Sequence, residues 1–144
     1  MMLTPMTTRT LTVEQVDARA RSAIEAALLY FGIQGEQPVQ FMHERPAEKD
    51  ASASCTYEAD YLRATIRVDT DYYQCYPMCI WKDMGHEVAH LASKELMAFR
   101  AFLPEEPELR RTVYTTAVEQ LTTRLERMFV RDCPEPDWND VPQT

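Results

Sequence analysis

Two histidines stand four residues apart, with a glutamate directly after the first, in the run His86-Glu87-Val88-Ala89-His90. Where such a run is helical, residues four apart share a face, so both imidazoles can reach one metal ion. Glu87 falls at the edge of that face, where it can touch a water beside the metal without ligating the metal. Those groups are the parts of metal-assisted hydrolysis, with the carboxylate as general base. The chain holds only three histidines, and two of them are in this run. The plain alternative is a pair of solvent-facing helix histidines.

A catalytic zinc takes three protein ligands and keeps one position for water, so a third ligand must come from elsewhere. The remaining histidine, His43, lies on a predicted strand, and nothing in its spacing ties it to the pair. It reads as a partly buried strand or loop histidine. Glu119 lies on the last predicted helix, nearly opposite that helix's apolar stripe. It reads as a solvated glutamate unless the polar side of the helix leans on the motif helix, where it would face both histidines. Spacing alone does not choose. Among the cysteines, Cys75 and Cys79 lie eleven and seven residues before His86. Cys79, two turns back on the same predicted helix, is roughly 10 Å away and too far to share the ion. Cys55, on a strand, could reach it.

The elements that must position these residues are legible in outline. Thr12 and Gln15 form a predicted capping box that opens an amphipathic helix carrying Val13, Val16, Ala20, Ile24, Ala27, Leu28 and Phe31. Gly32 and Gly35 close it. A short strand is predicted over Val39 to Met42, then a polar loop from Pro46 to Ala53. Cys55, Tyr57 and Ala59, and then Ala64, Ile66 and Val68, alternate with polar residues as a hairpin turning near Ala59-Asp60. Pro77 suits a first helical turn, and the motif helix is predicted to run from there to about Phe102, before Pro104 and Pro107. A last helix is predicted from about Glu108 to Arg131, with Tyr114, Val118, Leu121, Leu125 and Met128 as its buried stripe. Residues 1–11 read as a loose tail, and 132–144 as an acidic, proline-rich one.

At 144 residues the chain has room for one domain. Its apolar fraction of 45% and aromatic fraction of 10% fit an ordinary globular protein. A net charge of −8 and the lack of a basic patch argue against a nucleic-acid partner. No stretch reads as a membrane span, and the first residues lack a charged leader and an apolar core. The expected location is the cytoplasm, or a host's cytoplasm if the chain is phage-encoded. Cys55, Cys75, Cys79 and Cys133 have irregular spacing, so free thiols are expected rather than a disulfide framework.

The run Met84-Gly-His-Glu-Val-Ala-His-Leu-Ala92, followed by Val118-Glu-Gln-Leu-Thr-Thr-Arg-Leu125, resembles the small HExxH-plus-Glu metallopeptidases: the minigluzincins and related phage-encoded proteins. The resemblance covers about the last 70 residues, and the order of elements before them agrees. It implies an α+β, zincin-like fold, with a small twisted sheet, an N-terminal helix, an active-site helix and a C-terminal backing helix. It implies Zn2+ held by His86, His90 and Glu119, with Glu87 as catalytic base and a peptide or protein as substrate. Two departures stand out. Asp83 and Ala92 fall outside the extended signature, and Thr123 occupies the position, four after the third ligand, where thermolysin-like enzymes carry an aspartate that supports a zinc-bound histidine.

On this reading Tyr72, Tyr73, Tyr76 and Tyr114 are the candidate oxyanion donors, and the strand around Arg63 to Asp69 is the expected edge strand for an extended substrate. The resemblance also implies a latent form blocked by a C-terminal segment, for which the tail with Cys133 is the candidate; the alternative is a disordered acidic tail. Peptide deformylases share HExxH with a cysteine ligand, but their glycine-rich setting is missing here. The same scaffold could also serve as a non-catalytic zinc-bearing interaction module in a phage or mobile element.

Overall fold

In the computed structural model, residues 9–94 and 108–139 are described. They form an α+β fold of four helices and a three-stranded mixed sheet. Helix α1 spans Val13–Tyr30, and its capping box is formed in both directions: Thr12 Oγ1 accepts from the Gln15 amide at 3.1 Å, and Gln15 Oε1 from the Thr12 amide at 2.9 Å. At its other end Gly32 adopts φ 71°, which lets the Ile33 amide reach back to Leu28 O and the Gly32 amide to Leu29 O. This pair of bonds closes the last turn, and only glycine enters that conformation without a steric cost.

Strands β1 (Val39–Met42), β2 (Ala53–Glu58) and β3 (Arg63–Val68) follow, in the spatial order β1-β3-β2. β3 runs parallel to β1, from Val39 opposite Ala64, and antiparallel to β2, from Ala53 opposite Val68. The hairpin turns through a 3-10 turn at Ala59–Tyr61 and closes at Leu62, whose φ of 49° is left-handed and costs about 1–2 kcal/mol. The strand expected at the edge is therefore the central one. Being covered on both edges and one face, β3 carries Ala64, Ile66 and Val68 at 0–1% exposure. The edge strand after the polar loop is β2.

A six-residue helix, α2 (Thr70–Cys75), precedes the motif helix and is too short to show in a periodicity. Asp69 caps it by accepting from the Tyr72 amide, and Tyr73 is buried with its hydroxyl donating to Asp83 at 2.7 Å. A 3-10 turn at Pro77–Cys79 leads into α3 (Ile80–Ala92), where Ser93 caps the final carbonyls. The motif helix thus ends at Ala92, closed at Ser93, and not at the predicted Phe102; residues 95–107, with the proline break, fall outside the described residues. Helix α4 spans Glu108–Asp132.

α3 is the centre of the molecule, packed on α1, α4 and β2. Its apolar residues Ile80, Met84, Val88 and Leu91 join Val16, Ala20 and Ile24 of α1, Ile66 and Val68 of β3, and Phe129 of α4 in one core. Each such large side chain contributes about 1.5–3 kcal/mol by leaving water. The N-terminal segment is held as well: the Thr10 and Leu11 amides donate to Gln74 O, and Gln74 Nε2 donates to Leu11 O. Residues 9–11 are thus not loose. No helix among the described residues is long and apolar enough to cross a membrane.

Candidate metal centre

The register of α4 on α3 is antiparallel and can be read from four pairs. The Trp81 indole donates to Cys133 O at 2.8 Å, Gly85 faces Phe129, His86 meets Glu126, and His90 meets Thr122. Gly85 makes the close approach: a Cβ there would lie 2.5 Å from Phe129 Cδ2. Phe129 cannot easily give way, because it is fully buried, stacked on Trp81 at 5.5 Å and edged by Tyr30.

One turn further along α3, this approach brings the polar face of α4 against the motif. His86 Nε2 lies 3.4 Å from one oxygen of Glu119, and His90 Nε2 lies 3.1 Å from the other. Neighbouring ligands of a tetrahedral zinc with bonds of about 2.0 Å are about 3.3 Å apart, so the spacing suits a shared ion. The ligating atoms of His86, Glu87 and His90 also lie within 4.8 Å of one another, a group that could hold a metal ion.

Hydrogen-bond accounting points the same way. Thr122 donates its hydroxyl proton to Val118 O at 2.8 Å, so towards His90 Nδ1, 3.4 Å away, it can only accept. Glu126 as a carboxylate likewise accepts from His86 Nδ1 at 3.0 Å. With the proton on Nδ1, each ring turns an Nε2 lone pair towards the Glu119 carboxylate. Lone pairs facing a carboxylate at these distances repel, and a cation held among them removes the repulsion. A proton on one ring would do so too; at His90 burial pushes the pKa down, with Glu119 opposing the shift and His86 adding to it. The residues present fit a divalent cation.

Glu87 is 7% exposed, and its Oε2 has no hydrogen-bond partner among the described residues. Burial, with the charges of Glu119, Asp83 and Glu48 added, pushes its pKa up to about 8. It lines an open cleft of about 430 Å3 together with both histidines. Ala53, Ser54 and Cys55 of β2 form one wall, and Tyr114, Thr115, Val118 and Glu119 of α4 form another. The Tyr114 hydroxyl is buried in this wall without a hydrogen-bond partner among the described residues.

The candidates named from sequence separate cleanly. His86, Glu87, His90 and Glu119 line the same cleft, with Glu119 in contact with both histidines. His43 is held elsewhere, between Thr70 Oγ1 at 2.6 Å and Asp17 Oδ1 at 2.8 Å, where it ties β1 to α1 and α2. Of the tyrosines only Tyr114 lines the cleft, since Tyr73 is bound to Asp83 and Tyr72 and Tyr76 pack on each other at 4.8 Å. Cys55 reaches the cleft wall, where burial and the Glu87 charge push its thiol up to about 12. Cys79 sits before α3 beside the Tyr72 hydroxyl. Among the described residues no cysteine is in a disulfide.

Cys133 lies at the opposite end of the α3–α4 pair from the motif, because antiparallel packing sets the end of α4 against the start of α3. Its carbonyl holds Trp81, about 13 Å along the helix from His90. Trp138 packs against Trp81 at 6.0 Å and under the Arg19 guanidinium at 5.2 Å. None of residues 132–139 lines the cleft, so the Cys133 thiol is not placed to plug it.

Glu126 and Thr122 were missed by sequence reasoning. Their signal was the seven-residue interval from Glu119 to Glu126, two helical turns, which keeps a second carboxylate on the face that meets the motif helix. Comparison of the chain with protein-family models, with curated proteins and with solved structures finds no match.

Proposed function

We propose that this chain is a zinc-dependent peptidase of zincin-like architecture, with His86, His90 and Glu119 holding Zn2+ and Glu87 as general base. The observation that carries the proposal is the convergence of two Nε2 atoms and a carboxylate at 3.1 and 3.4 Å, beside a buried carboxylate with one oxygen that has no hydrogen-bond partner among the described residues. The order of α1, sheet, motif helix and backing helix supports the architecture.

When bound, zinc supplies a Lewis acid that polarises a carbonyl and acidifies water. Glu87 accepts a proton from the attacking water as its oxygen adds to the peptide carbonyl carbon. It then returns that proton to the amide nitrogen as the C–N bond breaks. Burial raises the proton affinity of Glu87, which favours its taking the water's proton, and a divalent cation beside it would keep the resting group ionised. The Tyr114 hydroxyl, buried in the cleft wall with no other partner, donates to the oxygen that becomes negative. β2 offers an unpaired strand edge beside the cleft, against which an extended peptide can add as a further strand.

The test is hydrolysis of an unstructured protein such as casein by the zinc-loaded chain and by Glu87→Gln. The wild type should cleave, and the variant should lose about 100- to 10,000-fold in rate while keeping its zinc. Zinc bound without hydrolysis in the wild type would favour the non-catalytic interaction module. Appreciable turnover by Glu87→Gln would overturn the role of Glu87.

A further inference from the structure

We propose that Glu126 is the positioning residue of the metal centre, fixing His86 in the orientation and tautomer that a metal ion needs. The inference rests on the metal-binding reading above. The Glu126 side chain is only 13% exposed, a costly place for a carboxylate unless it is bonded. Its partner among the described residues is His86 Nδ1 at 3.0 Å, and no Lys or Arg pairs with it there. This side chain is therefore buried against the one imidazole atom that a metal held on Nε2 leaves over.

The position is set by the fold. Phe129 locks under Gly85, which fixes the rotation of α4, and Glu126 lies three residues before Phe129, across from His86. Thr123, four residues after Glu119, lines a shallow groove with Glu119, Gln120 and Arg127, and is not among the residues lining the cleft with the histidines. The supporting carboxylate has thus moved three residues along the helix. The two histidines are supported unequally, since His90 has only the neutral Thr122 hydroxyl at 3.4 Å. A carboxylate bonded to the far nitrogen raises the basicity of the ring and holds it in place, whereas a hydroxyl mainly orients it.

The experiment compares wild type, Glu126→Gln, Glu126→Ala and Thr122→Val. Zinc affinity is measured by competition with a chelator, and the His86 tautomer by long-range proton–nitrogen NMR of the metal-free protein. Glu126→Ala should weaken zinc binding by about 10- to 100-fold, with Glu126→Gln intermediate and Thr122→Val smallest. The spectrum should show a proton on His86 Nδ1 in the wild type, and its resonance should move in Glu126→Gln, the near-isosteric variant that guards against misfolding of the alanine form. Zinc affinities for both Glu126 variants within twofold of wild type, with His86 unchanged, would overturn the proposal. If the wild type bound no zinc, the peptidase reading would fall, and the His86 spectrum alone would decide the role of Glu126: a proton on Nε2 in the wild type would refute it.

Discussion

Along the single interface between α3 and α4, the end formed by Trp81, Gly85, Phe129 and Cys133 is apolar and closed, while the end formed by His86, His90, Glu119, Thr122 and Glu126 is polar and opens into a cleft. The closed end contributes stability. A buried aromatic stack, a hydrogen-bonded indole and a glycine without a Cβ bring the helix axes close. The open end uses that closeness to set carboxylates against imidazoles, with Glu126 3.0 Å from His86 and Glu119 3.1 Å from His90. The energy that holds the polar groups together comes from residues that do no chemistry, one to two turns away.

The two ends should separate under mutation. His90→Ala should abolish hydrolysis and zinc binding, read by activity and metal content, while the metal-free protein keeps its denaturation midpoint. Phe129→Ala should do the reverse at first order, losing about 3–5 kcal/mol of stability in urea titration because it empties a fully buried site. Zinc affinity in that variant should fall only through loosening of α4. Tyr114→Phe should lower kcat about 100-fold, or about 2.7 kcal/mol in the barrier, with stability unchanged, because the hydroxyl has no partner to lose among the described residues. Gly85→Ala tests the link between the ends. The added Cβ meets Phe129, so the variant should lose about 1–3 kcal/mol and also bind zinc less tightly, as α4 shifts away from His86. Cys133→Ala should change hydrolysis least, since the thiol lies beside Trp81 and not in the cleft; a clear rise in casein cleavage would restore the picture of a tail that blocks the site.

The same contrast explains what the amino-acid pattern revealed and what it hid. α1 was legible to within a residue because its cap, its apolar stripe and its closing glycine agree. The HExxH run was legible because its spacing has a mechanical meaning on a helix. The orientation of α4 was not. A stripe of Tyr114, Val118, Leu121, Leu125 and Met128 fits helical periodicity, yet Met128 is 41% exposed, and the fully buried residues are Thr122 and Phe129. Periodicity assumes that the inward face is apolar. Here that face turns polar exactly where function would need it, so the hydrophobic signal points to the wrong rotation. β3 shows a different limit: alternation identifies a strand, but its place at the centre depends on the β1 partner, which local pattern does not encode.

The most direct measurement is a crystal structure of the zinc-loaded protein with anomalous data collected on both sides of the zinc absorption edge. One anomalous peak should lie between the helices, bonded to His86 Nε2, His90 Nε2 and the Glu119 carboxylate, with Glu126 still on His86 Nδ1 and Glu87 nearby but not ligating. A metal held by both histidines with Glu119 more than about 6 Å away would remove the third ligand, and no peak between α3 and α4 would contradict the metal centre itself.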